Sequence, residues 1–202
     1  QPLEMAVFGD SHALHLFKGL AERTEKNVIT LWKPGWFNGA PFVEENQIFF
    51  DYIFNSESID TVIFNVWWRR LYELEGAKNF EQKLTKAVRA LAKGGKNVVL
   101  TADVPTLNFP PGKCLFMNKA LARPQCSMDA SILSDQEEYL SVFRKLDEIE
   151  NVEVILTRDF FCDATRCYAL KQDSLLYADH HHLNSVGSKL FVEFLAKGSD
   201  YF

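Results

Sequence analysis

The chain alternates short, nearly continuous apolar runs with longer stretches whose apolar residues recur every third or fourth position. The runs cover residues 5–8, 27–31, 61–66, 97–101 and 152–157, and several are rich in Val and Ile. Such runs predict strands buried on both faces. Helical spacing predicts helices over 13–21, 44–54, 79–93, 134–149 and 185–196, the third ended by Gly94-Gly95 and the fourth opened by a capping-box pattern, Ser134 to Glu137. Five strands alternating with helices specify an α/β fold, a three-layer α/β/α sandwich around a mostly parallel five-stranded sheet. The Pro-rich stretch 103–134 has no periodicity, and a connection of that length reads as a binding or active-site loop.

Composition narrows the class. With 202 residues, 47% hydrophobic, the chain is long enough for one domain with its own core, 1–202. A net charge of −5 leaves no basic footprint and argues against nucleic acid as a partner. No apolar run is long enough to span a membrane. The start, Gln1-Pro2-Leu3-Glu4, reads as a cut edge, so the expectation is a domain excised from a longer protein. Aromatic residues in loops, Trp32, Trp36 and Phe37 among them, are candidates for a cleft wall or for buried loop anchors.

The four cysteines fall into two local groups, Cys114 with Cys126 and Cys162 with Cys167. Three connectivities are open, and loop closure favours the local pairs. Disulfides would imply an oxidising compartment; reduced thiols in the cytosol are the alternative. Neither spacing resembles a zinc motif.

The first strand runs straight into Gly9-Asp10-Ser11-His12, which places Ser11 at a helix start beyond the C-terminal end of a strand. Free backbone N–H groups there favour a developing oxyanion, and α/β sheets bind ligands at that end. A serine in this place can also be a simple N-cap. What points to chemistry is the distant Asp179-His180-His181-His182. In the spacing Asp179-x-x-His182 a carboxylate can accept from Nδ1–H and leave Nε2 to take the proton of Ser11. Ser11 would be the nucleophile, His182 the general base and acid, and Asp179 the partner that orients the imidazole. His180 and His181 are expected to diverge in direction from His182, and they lack the same offset. Three adjacent histidines also raise the question of a metal, but neighbouring side chains rarely converge on one ion, so no metal or cofactor is expected.

These residues resemble the SGNH (GDSL-type) hydrolase superfamily, through Gly9-Asp10-Ser11 and Asp179-x-x-His182-Leu183. More narrowly, Gly9-Asp10-Ser11-His12-Ala13, Trp68 with Tyr72, and the pair Cys162–Cys167 ahead of Tyr177 are similar to SGNH domains fused to acyltransferase-three membrane proteins. The resemblance implies a flavodoxin-like fold, a periplasmic site tethered to the inner membrane, and no cofactor. It implies an acyl donor delivered by a membrane acyltransferase domain, usually of acetyl groups. The acceptor would be a sugar hydroxyl on a surface polysaccharide such as O-antigen. An esterase acting on such esters is the alternative, and a glycan-binding module with a decayed triad a third reading. The isolated domain is expected to be monomeric. By the same resemblance Ser11 N–H is one oxyanion donor, with Gly39 (or Gly35) and Asn65 as candidates for the others. Asn65 lies early for that role, and the stretch Val66–Arg70 lacks the usual Gly and Asn; Arg69 or Arg70 could supply a guanidinium instead. His12, Trp36 and Trp68 are the candidates for the substrate cleft.

Overall fold

The computed structural model describes residues 1–32, 47–114 and 126–202. The central sheet has five parallel strands: β1 (Met5–Gly9), β2 (Val28–Trp32), β3 (Thr61–Asn65), β4 (Asn97–Thr101) and β6 (Val152–Ile155), in the order β2-β1-β3-β4-β6. The chain steps outward from β1 to β2, then returns to place β3 on the other side. The crevice at this reversal is where open α/β sheets bind ligands.

Side-chain alternation along the strands explains the layers. Ala6, Phe8, Val62, Phe64, Val98 and Leu100 face one core, together with the helices α2 (Gln47–Asn55), α3 (Trp68–Glu75), α4 (Ala77–Lys93) and α5 (Glu137–Leu146). Met5, Val7, Ile63 and Val99 face the other, against α1 (Ser11–Arg23) and the closing helix α7 (Ser185–Gly198). Strands β1 and β3 are buried at every position, which is why their central residues read as nearly continuous apolar runs.

Helices α1 and α7 touch through very small side chains. A Cβ on Gly19 would lie 2.5 Å from the backbone oxygen of Ser188, and the Gly19 N–H donates to Ser188 Oγ at 2.7 Å. Ser188 Oγ in turn donates to the His15 carbonyl. This contact docks the end of the chain against its beginning.

Several boundaries differ from the sequence expectations. Helix α3 is absent from them because its N-terminus has no local cap; carboxylates from distant segments satisfy it, as described below. The capping box at Ser134 does not form. A 3-10 segment over Ala130–Gln136 comes first, capped by Asp129, whose side chain accepts from Ser131 N–H, and α5 follows directly. The stop at Gly94-Gly95 holds, with Gly95 at φ +80°.

Small elements decorate the C-terminal region. β5 (Ser127–Asp129) pairs antiparallel with β7 (Arg166–Tyr168), and β8 (Leu170–Lys171) with β9 (Ser174–Leu175); the one-turn helix α6 (Arg158–Phe161) precedes them. Both local disulfides form, Cys114–Cys126 and Cys162–Cys167. Among the described residues no helix is long and apolar enough to cross a membrane.

Candidate active site

Gly9 ends β1, and its reason is close approach rather than a left-handed turn. A Cβ there would fall 2.0 Å from the Asn65 carbonyl oxygen at the end of β3. Directly beyond, Asp10 caps α1: Oδ1 accepts from His12 N–H at 2.8 Å, and Oδ2 from Trp67 N–H at 2.9 Å. One buried carboxylate thereby joins the start of α1 to the chain entering α3. Burial raises the Asp10 pKa, and the two backbone donors work against that rise. Ser11 is the first helical residue, in the turn whose N–H groups lack intrahelical acceptors.

The loop 177–184 comes to Ser11 from the far end of the chain. It is held from several directions. Ala178 N–H donates to the His182 carbonyl at 2.8 Å, and Leu107 N–H to the His180 carbonyl at 2.7 Å. The buried Tyr177 hydroxyl donates to the Pro105 carbonyl at 3.0 Å. Asn184 caps α7 by accepting from Gly187 N–H, while its amide donates to Leu175 and Tyr177 carbonyls.

In this setting His182 Nε2 lies 2.8 Å from Ser11 Oγ, and His182 Nδ1 lies 2.7 Å from Asp179 Oδ2. The other Asp179 oxygen accepts the N–H groups of His181 and His182 at 2.9 and 2.8 Å. Partial burial raises the Asp179 pKa, but these donors and the imidazole outweigh it and hold the carboxyl at about 2. Asp179 is therefore an acceptor only, which puts the proton of His182 on Nδ1. Nε2 is left to accept from the Ser11 hydroxyl. Ser11, His182 and Asp179 are thus in line for proton transfer off a serine hydroxyl. The His182 side chain is 25% exposed and that of Asp179 50%.

More histidines gather here than the sequence reading brought together. His181 does not diverge from the site: its Nδ1 lies 3.1 Å from His12 Nε2, and its ring centroid is 4.1 Å from that of His182. His12 and His15 are buried beneath. Burial, then the proximity of the other imidazoles, lowers the His12 pKa well below the ordinary range; the same causes bring His15 down to about 3. Both are neutral at neutral pH. Burial also lowers the His181 pKa. His180 instead places Nδ1 2.9 Å from the Leu107 carbonyl.

Trp68 is not a cleft residue. It is fully buried, packs edge-on against Phe143 and Phe80, and donates its Nε1–H to the Thr101 carbonyl at 2.7 Å. Its neighbour Trp67 takes the place at the site, stacked on His181 at 4.4 Å and, further off, on His12 at 5.9 Å. Consecutive residues at a helix start point about 100° apart, so one belongs to the core and the other to the site. Nothing in the Trp67-Trp68 dipeptide distinguishes them before the helix is placed.

Asn65, the last residue of β3, directs its amide to the His12 carbonyl at 3.1 Å and braces the first turn of α1. Arg69 pairs with Glu73 and Asp135, and Arg70 with Glu73. None of the three brings its donor to Ser11 in these contacts. Gly35, Trp36, Phe37 and Gly39 lie outside the described residues. Trp32 ends β2 and is 37% exposed.

Asp103, just past β4, escaped the sequence reading. Its carboxylate accepts Trp68 N–H and Arg69 N–H, both at 2.8 Å, and so completes the N-terminus of α3. Burial raises its pKa to about 7, with the Asp10 carboxylate adding to the rise and the backbone donors opposing it. The signal available was its position, an acid at the C-terminal end of a buried strand. A cleft beside Trp67 is lined by Arg69, Asp103, Leu107, Asn108, Asp135 and Gln136, among others.

Solved structures share this architecture at low identity, which shows the fold alone. The periplasmic domain of the lipopolysaccharide acetyltransferase of Salmonella ser. Paratyphi A superposes with a TM-score of 0.76 at 16% identity, covering 98% of this chain and 84% of that one. The psychrotrophic esterase EstA from Pseudoalteromonas sp. gives 0.54 at 16%, covering 96% and 94%. The C-terminal catalytic domain of peptidoglycan O-acetyltransferase A from Streptococcus pneumoniae gives 0.50 at 13%, covering 97% and 92%. No curated protein matches the chain. The family model for the SGNH domain fused to AT3 domains matches residues 1–197, and the chain belongs to that family.

Proposed function

We propose that this chain is the acyl-transferring domain of a membrane-tethered, periplasmic O-acyltransferase, using Ser11, His182 and Asp179 to move an acyl group, most simply acetyl, onto a sugar hydroxyl. The observation that carries the reading is the continuous hydrogen-bond series from Ser11 Oγ through His182 to Asp179. Ser11 Oγ attacks the acyl carbonyl and gives its proton to His182 Nε2. His182 then protonates the leaving group as the tetrahedral intermediate collapses to acyl-Ser11. Asp179 stabilises the imidazolium without taking its proton. A sugar hydroxyl enters next, loses its proton to His182, and leaves as the ester while the proton returns to Ser11. The Ser11 N–H, in the first turn of α1 where backbone donors lack intrahelical acceptors, serves as one oxyanion donor. The two disulfides, the family's fusion to AT3 domains and the periplasmic acetyltransferase of the same fold support the location and the donor.

Hydrolysis by the same residues is the second reading. The exposure of Asp179 and His182 favours it, since a site open to water can pass the acyl group to water. Mass spectrometry of the intact domain with an activated acetyl ester, with and without an oligosaccharide, separates the two. An adduct on Ser11 that moves to the sugar is the expected result; release of acetate alone makes the domain an esterase. A folded Ser11→Ala variant with unchanged turnover would remove the assignment.

A further inference from the structure

Consecutive histidines seldom share an ion, yet the fold unites two of the run at 180–182 with a third from α1. One ring nitrogen each of His12, His181 and His182 lies within 4.8 Å of the others. His12 Nε2 and His181 Nδ1 are 3.1 Å apart, close to the edge of about 3.3 Å between two nitrogen ligands of a tetrahedral Zn²⁺. His182 Nδ1 is taken by Asp179, so the atom it can offer is Nε2. That carboxylate–imidazole pairing is the one that fixes a metal-binding histidine. His12 is buried on α1, and it is its Nε2 that faces His181.

We propose that His12, His181 and His182 form a capture site for a divalent transition-metal ion such as Zn²⁺, and that occupancy switches off the serine. The inhibition rests on the function proposed above; the binding does not. The ion takes the lone pair of His182 Nε2, the pair that would accept the Ser11 proton. No covalent bond is broken and no oxidation state changes; the hydrogen bonds from Ser11 Oγ to His182 Nε2 and between His12 Nε2 and His181 Nδ1 give way to nitrogen–metal bonds. Each imidazole offers one ring nitrogen, and a fourth position is left for water or the Ser11 hydroxyl. The recognising chemistry is borderline-soft and nitrogen-selective, so Zn²⁺, Cu²⁺ and Co²⁺ fit and Mg²⁺ or Ca²⁺ do not.

The test uses the metal alone. Co²⁺ is titrated into the domain and followed by its visible absorption, and Zn²⁺ is measured by competition with a chromophoric chelator. Hydrolysis of an activated acetyl ester is recorded in parallel, with and without EDTA. Expected are one equivalent bound, a nitrogen-ligand Co²⁺ spectrum, and turnover that falls at least about tenfold and returns with EDTA. His181→Gln weakens binding at least about tenfold, and its turnover, at whatever metal-free level, no longer changes on adding Zn²⁺ or EDTA. Ser11→Ala, inactive, still binds Co²⁺. Binding and inhibition unchanged in His181→Gln, or Mg²⁺ acting as well as Zn²⁺, would overturn the site. An inactive metal-free parent that nevertheless gives the Co²⁺ spectrum would refute the acyl-transfer reading and leave the metal site standing.

Discussion

The Asp10 carboxylate accepts the backbone N–H of Trp67 at 2.9 Å, across 57 positions of sequence. With its other oxygen on His12 N–H, it sets the start of α1 against the entry to α3. Ser11 sits next to it, so the aim of the hydroxyl depends on this bond.

Asp10→Ala is therefore expected to reduce both stability and turnover. Loss of the cap and of a buried acceptor together cost about 2–4 kcal/mol. Chemical denaturation would show the loss, and turnover of an activated ester at a temperature where the variant is folded should fall at least about tenfold. A stability unchanged within error would mean that Trp67 N–H finds another acceptor.

Asp179→Asn tests the orientation of His182. The amide fills the same space but can present an N–H to Nδ1, which favours the wrong tautomer. Turnover should drop on the order of 10²–10⁴-fold while the circular dichroism spectrum stays that of the parent. Asp179 is half exposed at the surface, so thermal melting should shift little.

The adjacent tryptophans should separate cleanly. Trp68→Ala empties a fully buried site and leaves the Thr101 carbonyl without its donor, a loss of about 3–5 kcal/mol by denaturation. Trp67→Ala, at a half-buried position stacked on His181, should cost less than half of that and act on KM. The reverse ranking would contradict the assignment of the two side chains.

Asp103 makes stability depend on pH in a definite direction. Its carboxyl titrates near 7 when folded and near 3.8 when unfolded, so between those values the folded state holds the extra proton. The contribution is fully present below the unfolded value and is lost as pH rises through about 7. Relative to Asp103→Asn, whose amide does not titrate, the parent should lose up to about 1.4 kcal/mol per pH unit across that window. Paired denaturation series from pH 4 to 8 check it; parallel curves would show that Asp103 is ionised throughout.

What sequence alone determined here is whatever period and local chemistry encode. Strands with buried interiors are mostly apolar through their middle positions, so β1, β3 and β4 were legible, and α4 announced itself by an apolar face of the right period and a glycine stop. Ser11, Asp179 and His182 were legible as a candidate set because proton transfer off a serine hydroxyl needs particular functional groups in particular offsets, and the three-residue spacing of Asp179 and His182 is a local geometry. Helix α3 was not, since its N-terminus is satisfied by Asp10 and Asp103 from other parts of the chain and no neighbouring residue signals a cap. For the same reason Trp67 and Trp68 could not be told apart: which of two adjacent rings enters the core depends on where that helix begins. The histidine cluster was equally hidden, because His181 meets His12 only when the Gly19–Ser188 contact brings the last helix onto the first. Local pattern set the parts, and long-range hydrogen bonds and close packing decided which of them meet.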